Sequence, residues 1–327
     1  MSACAAGAAA LPAPDATPAL LAEFERALDP ARPTARPGVE VLGYGEVSAV
    51  LAIPSLPAWV CKRMAGFRDA AGVGRYVEVV RCYIDLLQGD GIGVVETHLF
   101  PVELPHRRPV VYLLQPRLDA RCFGHALLRD ADDVIVAGCV ERVLACVLRV
   151  LRGNRRRSDG REVALDAQLS NWHFPVEAAE VGEPLLVDVG TPYQRRGGRY
   201  EIDVDLFLAA APPLVRGWYR RARAVERYLD DYFDPRLAAV DLLGNFHKEG
   251  RGDRLPLALP QVNDWLAAHA SELGATSPLD AEDVQRYYAR DAAQLELYLR
   301  LRRIYRFVYT RLLHRRYDFV LPGTIRR

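Results

Sequence analysis

Between residues 39 and 64 the sequence breaks into short apolar runs, VEVLGY, VSAVLAI and WVCKRM, divided by Gly43, Gly45, Pro54 and Pro57. Such runs end on the two residues that punctuate a backbone most strongly, so they predict strands joined by hairpins. The pattern then changes. Tyr76, Val79, Val80, Tyr83, Ile84 and Leu87 recur at steps of three and four, the spacing of one helical face, and predict an amphipathic helix over residues 73–87. Two more strand candidates follow at 93–99 and 110–115, Pro116 marks a link, and the chain beyond it reads as mostly helical. Its 327 residues, half of them hydrophobic, exceed the usual ceiling for a single core, so two lobes of an α+β protein are expected.

Other segments frame this arrangement. Thr17 followed by Pro18 reads as the start of a short helix through Leu28, ended by prolines at 30, 33 and 37. The alanine-rich start lacks the basic opening and apolar centre of a secretory signal and is taken as a flexible tail. The most apolar stretch, residues 134–151, is interrupted by Glu141, Arg142 and Arg149 and falls short of the roughly 20 apolar residues of a membrane span. It predicts a buried core helix capped by Asp132 or Asp133. Ser277-Pro278 opens a last helical region, where leucines and tyrosines alternate with arginines from about 283 to 317: a packed terminal helix with a basic outer face, or a membrane-surface helix as the lesser alternative.

Charge and cysteine usage exclude several classes. The 43 basic and 42 acidic residues cancel, so no global field recruits nucleic acid or an anionic membrane. Any polyanion site is local, and RGNRRRSDGR at 152–161 reads either as a solvated loop or as such a site. Six cysteines without a CxxC pair, and seven histidines without ligand spacing, give no zinc site and point to a reduced, cytoplasmic protein. His173, two residues past Asn171, is read as a packing residue, with a place near the site as the lesser alternative.

Phosphoryl transfer asks a protein for cations, metal ligands and alignment rather than for covalent chemistry, and the chain supplies such groups in order. Gly43 and Gly45 in the hairpin GYGEVS would let backbone amides approach a phosphate, with Ser48 standing where a third glycine would complete the pattern. Lys62 lies in an apolar strand, a costly place for an ammonium without a partner, and Glu78 in the next helix is the expected carboxylate. Asp166 and Asn171, five apart in LDAQLSNW, fit a loop with both ends turned to one site. There Asp166 would accept or orient the proton of an acceptor hydroxyl, and Asn171 would offer an oxygen to magnesium. Asp188 follows Leu185, Leu186 and Val187 and precedes Gly190, a carboxylate at the end of a buried strand suited to a hard cation. Taken singly, each has an ordinary reading as a turn aspartate, a cap, a solvated glutamate or a strand-edge lysine.

Together, GYGEVS, Lys62, Glu78, the strand leading to Gln115-Pro116, Asp166 with Asn171, and Asp188-Val-Gly resemble the protein-kinase-like superfamily, most closely its aminoglycoside and choline phosphotransferase branch, over residues 39–210. The resemblance implies a bilobal fold: a tail and short helix over 1–37, a small antiparallel-sheet lobe with one helix over 38–116, and a larger, mostly helical lobe over 117–327. It implies ATP and Mg2+ as cofactors, an adenine-holding hinge at 115–118 that makes Gln115 a nucleotide contact, and transfer of the γ-phosphoryl group to a hydroxyl of a small metabolite, antibiotic or modified peptide. Asp205, in IDVDLFLAA, looks like that branch's helix aspartate, which braces the catalytic loop. The short separation from Asp188 to Asp205 leaves no room for a long activation segment, which favours the small-molecule branch. The chain departs from the pattern where Ala164-Leu165 replaces the usual histidine and its neighbour, and where Gln168 stands in place of a lysine or histidine. A pseudokinase, binding nucleotide or a partner without turnover, is the competing reading. Past about residue 233 the chain, including DLLGNFHKEGR, matches nothing carried over and is expected to define substrate or partner.

Overall fold

The computed structural model describes residues 16–322 apart from Glu46, Ala179, Ala275 and Thr276. The expected N-terminal tail lies outside the described residues as far as Asp15. Helix α1, Ala16–Ala27, packs beside a five-stranded sheet made of β1 Glu40–Tyr44, β2 Ser48–Ala52, β3 Trp59–Met64, β5 His98–Val102 and β6 Val110–Pro116, in the order β1-β2-β3-β6-β5, every pair antiparallel. The glycines and prolines of the 39–64 region fall at or beside the strand ends, apart from Gly43, which sits inside β1 just past a register irregularity opposite Val50. Helix α2, Ala70–Gly89, follows β3 and is capped by Asp69, whose side chain accepts the Gly72 amide. The single strand expected over 93–99 is two: β4, Gly93–Val94, leaves the main sheet to pair elsewhere, and β5 joins it.

Strand β3 serves both of its faces, because neighbouring side chains in a strand point to opposite sides. Arg63 turns toward α1, where Nε and Nη2 donate to Glu25 at 2.7 and 2.8 Å and Tyr112 Oη donates to the same carboxylate at 2.7 Å. Lys62, one residue earlier, turns to the other side.

The remainder is chiefly helical, with α3 Gly124–Asp130, α4 Asp133–Arg156, α5 Asp205–Leu208, α6 Pro213–Arg221, α7 Ala224–Asp230, α8 Pro235–Lys248, α9 Leu255–Ala268, α10 Ala270–Leu273 and α11 Ala281–Phe307. Short strands β7 Arg161–Val163, β8 Trp172–His173, β9 Val176–Glu177, β10 Glu180–Val181, β11 Leu185–Leu186, β12 Gln194–Arg196 and β13 Arg199–Tyr200 lie between α4 and α5. The fold is thus mixed α+β with antiparallel sheets and many helices. Helix α4 is the buried core helix expected, with Ile135, Val136, Cys139, Val140, Val143, Leu144 and Val147 inward; Asp132 occupies the cap position without a side-chain cap bond. No helix among the described residues is long and apolar enough to cross a membrane.

Two expectations are corrected here. Residues 152–156 are the last turn of α4 rather than a loop, because arginine is a good helix former and these arginines find carboxylates. Arg152 pairs with Glu272 at 2.7 Å and Arg157 with Asp90, while Gly153 leaves the space that the Asp90 carboxylate fills, so these two arginines are committed to internal pairs. The uniformly reduced reading of the cysteines holds for Cys61, Cys82, Cys139 and Cys146, which are free thiols, and not for Cys122, which is disulfide-bonded.

Candidate functional site

A three-stranded ladder brings two distant loops together. Strand β11 lies between β4, to which it is parallel, and β8, to which it is antiparallel, with Leu186 opposite Trp172 and Leu185 opposite His173. The Val187 amide continues the ladder to Asn171 O at 2.9 Å, so Asn171 and Asp188 emerge beside each other at its end. Close approach of β4 depends on Gly93, where a Cβ would stand 2.9 Å from both Pro184 O and Leu185 Cδ2.

Lys62 reaches this point from the sheet. Its Nζ donates to Asp188 Oδ1 at 2.5 Å, and the Gly190 amide donates to the same oxygen at 3.0 Å. Gly190 has a second reason to be glycine: a Cβ there would lie 3.0 Å from Lys62 Cε and Nζ. Tyr76 of α2 fixes the turn by donating to Gly190 O at 2.8 Å, and Tyr83, two turns further along the helix, donates to Ala164 O at 2.8 Å. Burial would raise the Asp188 pKa, but the Lys62 ammonium and the Gly190 amide outweigh it and hold the carboxyl below its usual value. The side chain is still 37% accessible.

The Asp166 loop is held by α8. Asp166 Oδ1 accepts the Gln168 amide at 3.0 Å, the Asn171 amide bonds to Gln168 O at 2.9 Å, and Asn245 Oδ1 accepts the Ser170 amide at 3.3 Å. The Gln168 side chain is gripped at both ends, its Nε2 donating to Asp241 Oδ1 and Oδ2 at 3.0 and 3.1 Å and its Oε1 accepting Lys248 Nζ at 2.6 Å. Burial and the nearby Asp241 carboxylate push the Asp166 pKa well above the carboxylate range. Asp241 is itself raised to about 6 by burial, against the opposing pull of Gln168 and Lys248.

Asp241, Asn245 and Lys248 were not among the residues that the sequence pattern singles out, yet the signal is there. They lie at steps of four and three, one face of α8, within a run whose other members Ala238, Val240, Leu242, Leu243 and Phe246 are buried and apolar. This face belongs to the DLLGNFHKEGR stretch that matched no pattern. Asp205 does not brace the loop: it starts α5 and pairs with Arg220 at 2.5 Å and Arg68 at 3.1 Å.

A cavity of about 190 Å3 collects Gly45, Asp166, Gln168, Asn171, Asp188 and Lys248. Tyr193, Tyr228 and Tyr232 line it as well, with Asp291, Leu295, Leu299 and Arg302 of α11. Tyr193 and Tyr232 stack with ring centroids 4.1 Å apart. Among the described residues there is no cluster of three or more His, Cys, Asp or Glu that could hold a metal. The oxygen donors available to a hard cation are the Asn171 amide and the Asp188 carboxylate.

Four sequence candidates, Glu78, Gln115, Ser48 and Gly43, stand apart from this group. Glu78 is exposed on α2 and does not pair with Lys62, because the inner face of the helix is taken by Tyr76, Val80 and Tyr83. Gln115 is buried, and its Nε2 donates to Val187 O at 2.7 Å and Thr97 Oγ1 at 3.0 Å, bracing the segment before Asp188 from behind. Ser48 is buried in β2, where its carbonyl accepts the Gly45 amide at 3.1 Å; of GYGEVS, Gly45 and Tyr44 line the cavity and Gly43 does not. His173 packs edge-on against Phe123 with centroids 5.5 Å apart, the packing role expected.

Fold and cavity together define a mixed α+β protein with a polar site built on two lysines and several carboxylates. A family model described as a family of unknown function, DUF6206, matches residues 23–306, and the chain belongs to that family. No curated protein matches it. Among solved structures, one described as WaaP in complex with acyl carrier protein is similar at 14% identity, covering 72% of this chain and 88% of that one, with a TM-score of 0.30. A likeness at that score carries no argument about function.

Proposed function

We propose that the protein is a phosphotransferase that uses ATP and magnesium to move the γ-phosphoryl group to a hydroxyl of a small molecule or modified peptide, in a bilobal, protein-kinase-like arrangement. The observation that carries this reading is the contact of Lys62 with Asp188 at the edge of a cavity that also holds Asp166 and Asn171. A lysine, a strand-end carboxylate, an amide oxygen and a loop aspartate around one space are the groups that phosphoryl transfer requires. An amide oxygen from Asn171 and a carboxylate from Asp188 suit a magnesium ion that arrives with its phosphates. When bound there, magnesium would neutralise charge on the transferred group. Lys62 would turn from Asp188 to the phosphates, the Gly45 backbone would line their path, and Asp166 would orient the acceptor hydroxyl and take its proton when ionised.

One observation favours the second reading, nucleotide binding without turnover. Burial and the Asp241 carboxylate raise the Asp166 pKa, which disfavours the ionised form that a proton acceptor needs. Thermal denaturation with ATP, with and without magnesium, tests the shared premise: a rise in Tm that requires magnesium is expected, and no rise would sink both readings. Turnover against a panel of hydroxyl acceptors, compared with Asp166→Ala, then separates them. Loss of turnover in the variant supports the enzyme; phosphate transfer at the same rate in both removes Asp166 from the chemistry.

A further inference from the structure

Of the 43 basic residues in the chain only two, Lys62 and Lys248, are lysine; all others are arginine. As solvated surface charge the two residue types are nearly equivalent, but at a binding site they are not. Lysine is a compact charge with three rotatable donors on a flexible stem, whereas arginine is a rigid planar fork. A chain that uses arginine almost everywhere keeps lysine twice, and the fold brings both to one site. Lys62 ends on Asp188 at 2.5 Å, and Lys248 lines the cavity with Asp166, Asn171 and Asp188.

The surroundings of Lys248 are built. The α8 residues before it are buried from Ala238 through Phe246, so the helix is a fixed platform. Its ammonium donates to a neutral amide oxygen, Gln168 Oε1, rather than to a carboxylate. The amide of Gln168 cannot be turned over, because its NH2 group is spent on both oxygens of Asp241. The result is an oriented cation whose field falls on Asp166, Asp188 and Asp241.

We propose that Lys248 is a second polyphosphate-binding residue of this site. With a nucleoside triphosphate in the cavity, it contacts the terminal phosphate from the α8 side while Lys62 holds the phosphates from the sheet side, and Gln168, clamped by Asp241, positions it. The proposal rests on the nucleotide reading given above.

The scarcity of lysine supplies the test. An acyl phosphate derivative of ATP modifies amines beside bound phosphates: the lysine nitrogen forms an amide with the acyl carbon, the acyl carbon–oxygen bond breaks, and ATP leaves. The protein offers two side-chain amines, and peptide mass spectrometry distinguishes them. Labelling of both Lys62 and Lys248, each suppressed by excess magnesium-ATP, is the expected result. In parallel, Lys248→Met should bind inorganic tripolyphosphate about tenfold or more weakly by calorimetry, with Lys248→Arg recovering part of the loss. ATP-suppressible label at Lys62 with none at Lys248 would overturn the proposal and leave nucleotide binding standing. Absence of ATP-suppressible label at both lysines would overturn the nucleotide reading itself. The labelling uses the wild-type chain, so its outcome does not depend on the folding of a variant.

Discussion

Lys62 Nζ and Asp188 Oδ1 meet at 2.5 Å across 126 residues of sequence, so the central strand of the antiparallel sheet, β3, and the turn after β11 share one charge pair. The ammonium occupies the carboxylate that a divalent cation would need, and neutralises it in the meantime. In the proposed reaction, cation and lysine would therefore compete for Asp188, and a bound nucleotide would resolve the competition by giving Lys62 phosphates instead. Lys62→Met should weaken magnesium-ATP binding by about 10- to 100-fold, the worth of one or two charge-assisted bonds. Asp188→Asn should behave differently. Freed of its partner, Lys62 should bind ATP in EDTA at least as well as in the wild type, while the gain on adding magnesium disappears. Calorimetry with and without metal reads both outcomes.

Gly190→Ala tests the same contact sterically. The added methyl stands 3.0 Å from Lys62 Cε and Nζ, tighter than most real side-chain contacts, and the Tyr76 hydroxyl holds the turn so that the backbone cannot simply retreat. The lysine must give. Because the crowded atoms are the far end of a flexible side chain, the cost should lie at the low end of the roughly 1–3 kcal/mol of core overpacking. Chemical denaturation should register a loss in that range, and ATP affinity should fall along with it. An unchanged affinity in the folded variant would mean that the position of Lys62 over Asp188 is irrelevant to binding.

Much of this arrangement was legible in the sequence, for reasons that differ by element. The 39–64 strands and α2 announce themselves by period, and Asp166, Asn171 and Asp188 converge as their spacing suggested. Glu78 misled because a lysine in an apolar strand demands a carboxylate without saying which. Two positions past inward-facing Tyr76, it lies about 200° round the helix and so faces outward. The hold on the loop was hidden for another reason. Asp241, Asn245 and Lys248 form a one-sided polar stripe on a helix that is otherwise core, and such a stripe has meaning only once the opposing loop is known. Asp205 likewise follows its local motif but finds Arg68 and Arg220 rather than the loop.

The buried acid pair makes the site sensitive to pH. Burial pushes the Asp241 pKa up to about 6, and its charge helps to raise that of Asp166. A carboxyl raised in the folded state stabilises the fold at low pH, and that contribution is lost as pH climbs through the folded value. Asp241→Asn removes this loss while keeping an oxygen for Gln168. Between about pH 4 and 6 the wild type should lose stability relative to the variant, with the gap closing toward acid and constant above that range. If Asp166 acts as the proton acceptor, removing its charged neighbour should also shift the rising limb of the pH–rate profile to lower pH. Denaturation curves across that range check the first outcome, and initial rates with an identified acceptor check the second.

Away from the cavity, Glu25 sets the position of α1. Its carboxylate accepts two bonds from Arg63 and one from Tyr112, and Arg316 approaches within 3.5 Å, all behind a side chain only 5% exposed. Arg63 Nη1 also donates to Asp318 O at 2.7 Å, so one buried ion pair ties α1, the sheet and the C-terminal segment together. Burial alone would raise the Glu25 pKa; the Arg63 charge and the bonds from Arg63 and Tyr112 reverse it and leave the carboxyl below its usual value. Removing one partner of such a pair leaves a buried charge uncompensated, at a cost of about 3–5 kcal/mol. Glu25→Ala should show that loss in denaturant unfolding, whereas Glu25→Gln, which can still accept a bond from Arg63, should lose less. The pH dependence follows from the lowered value. The contribution of Glu25 is complete above the unfolded carboxyl value of about 4.3 and drains away as pH falls through the folded one. Acid unfolding should therefore begin at higher pH in the wild type than in a double variant, Glu25→Leu with Arg63→Met, where an apolar contact replaces the ion pair. A coincident acid transition in the two would show that the pair has no part in acid denaturation.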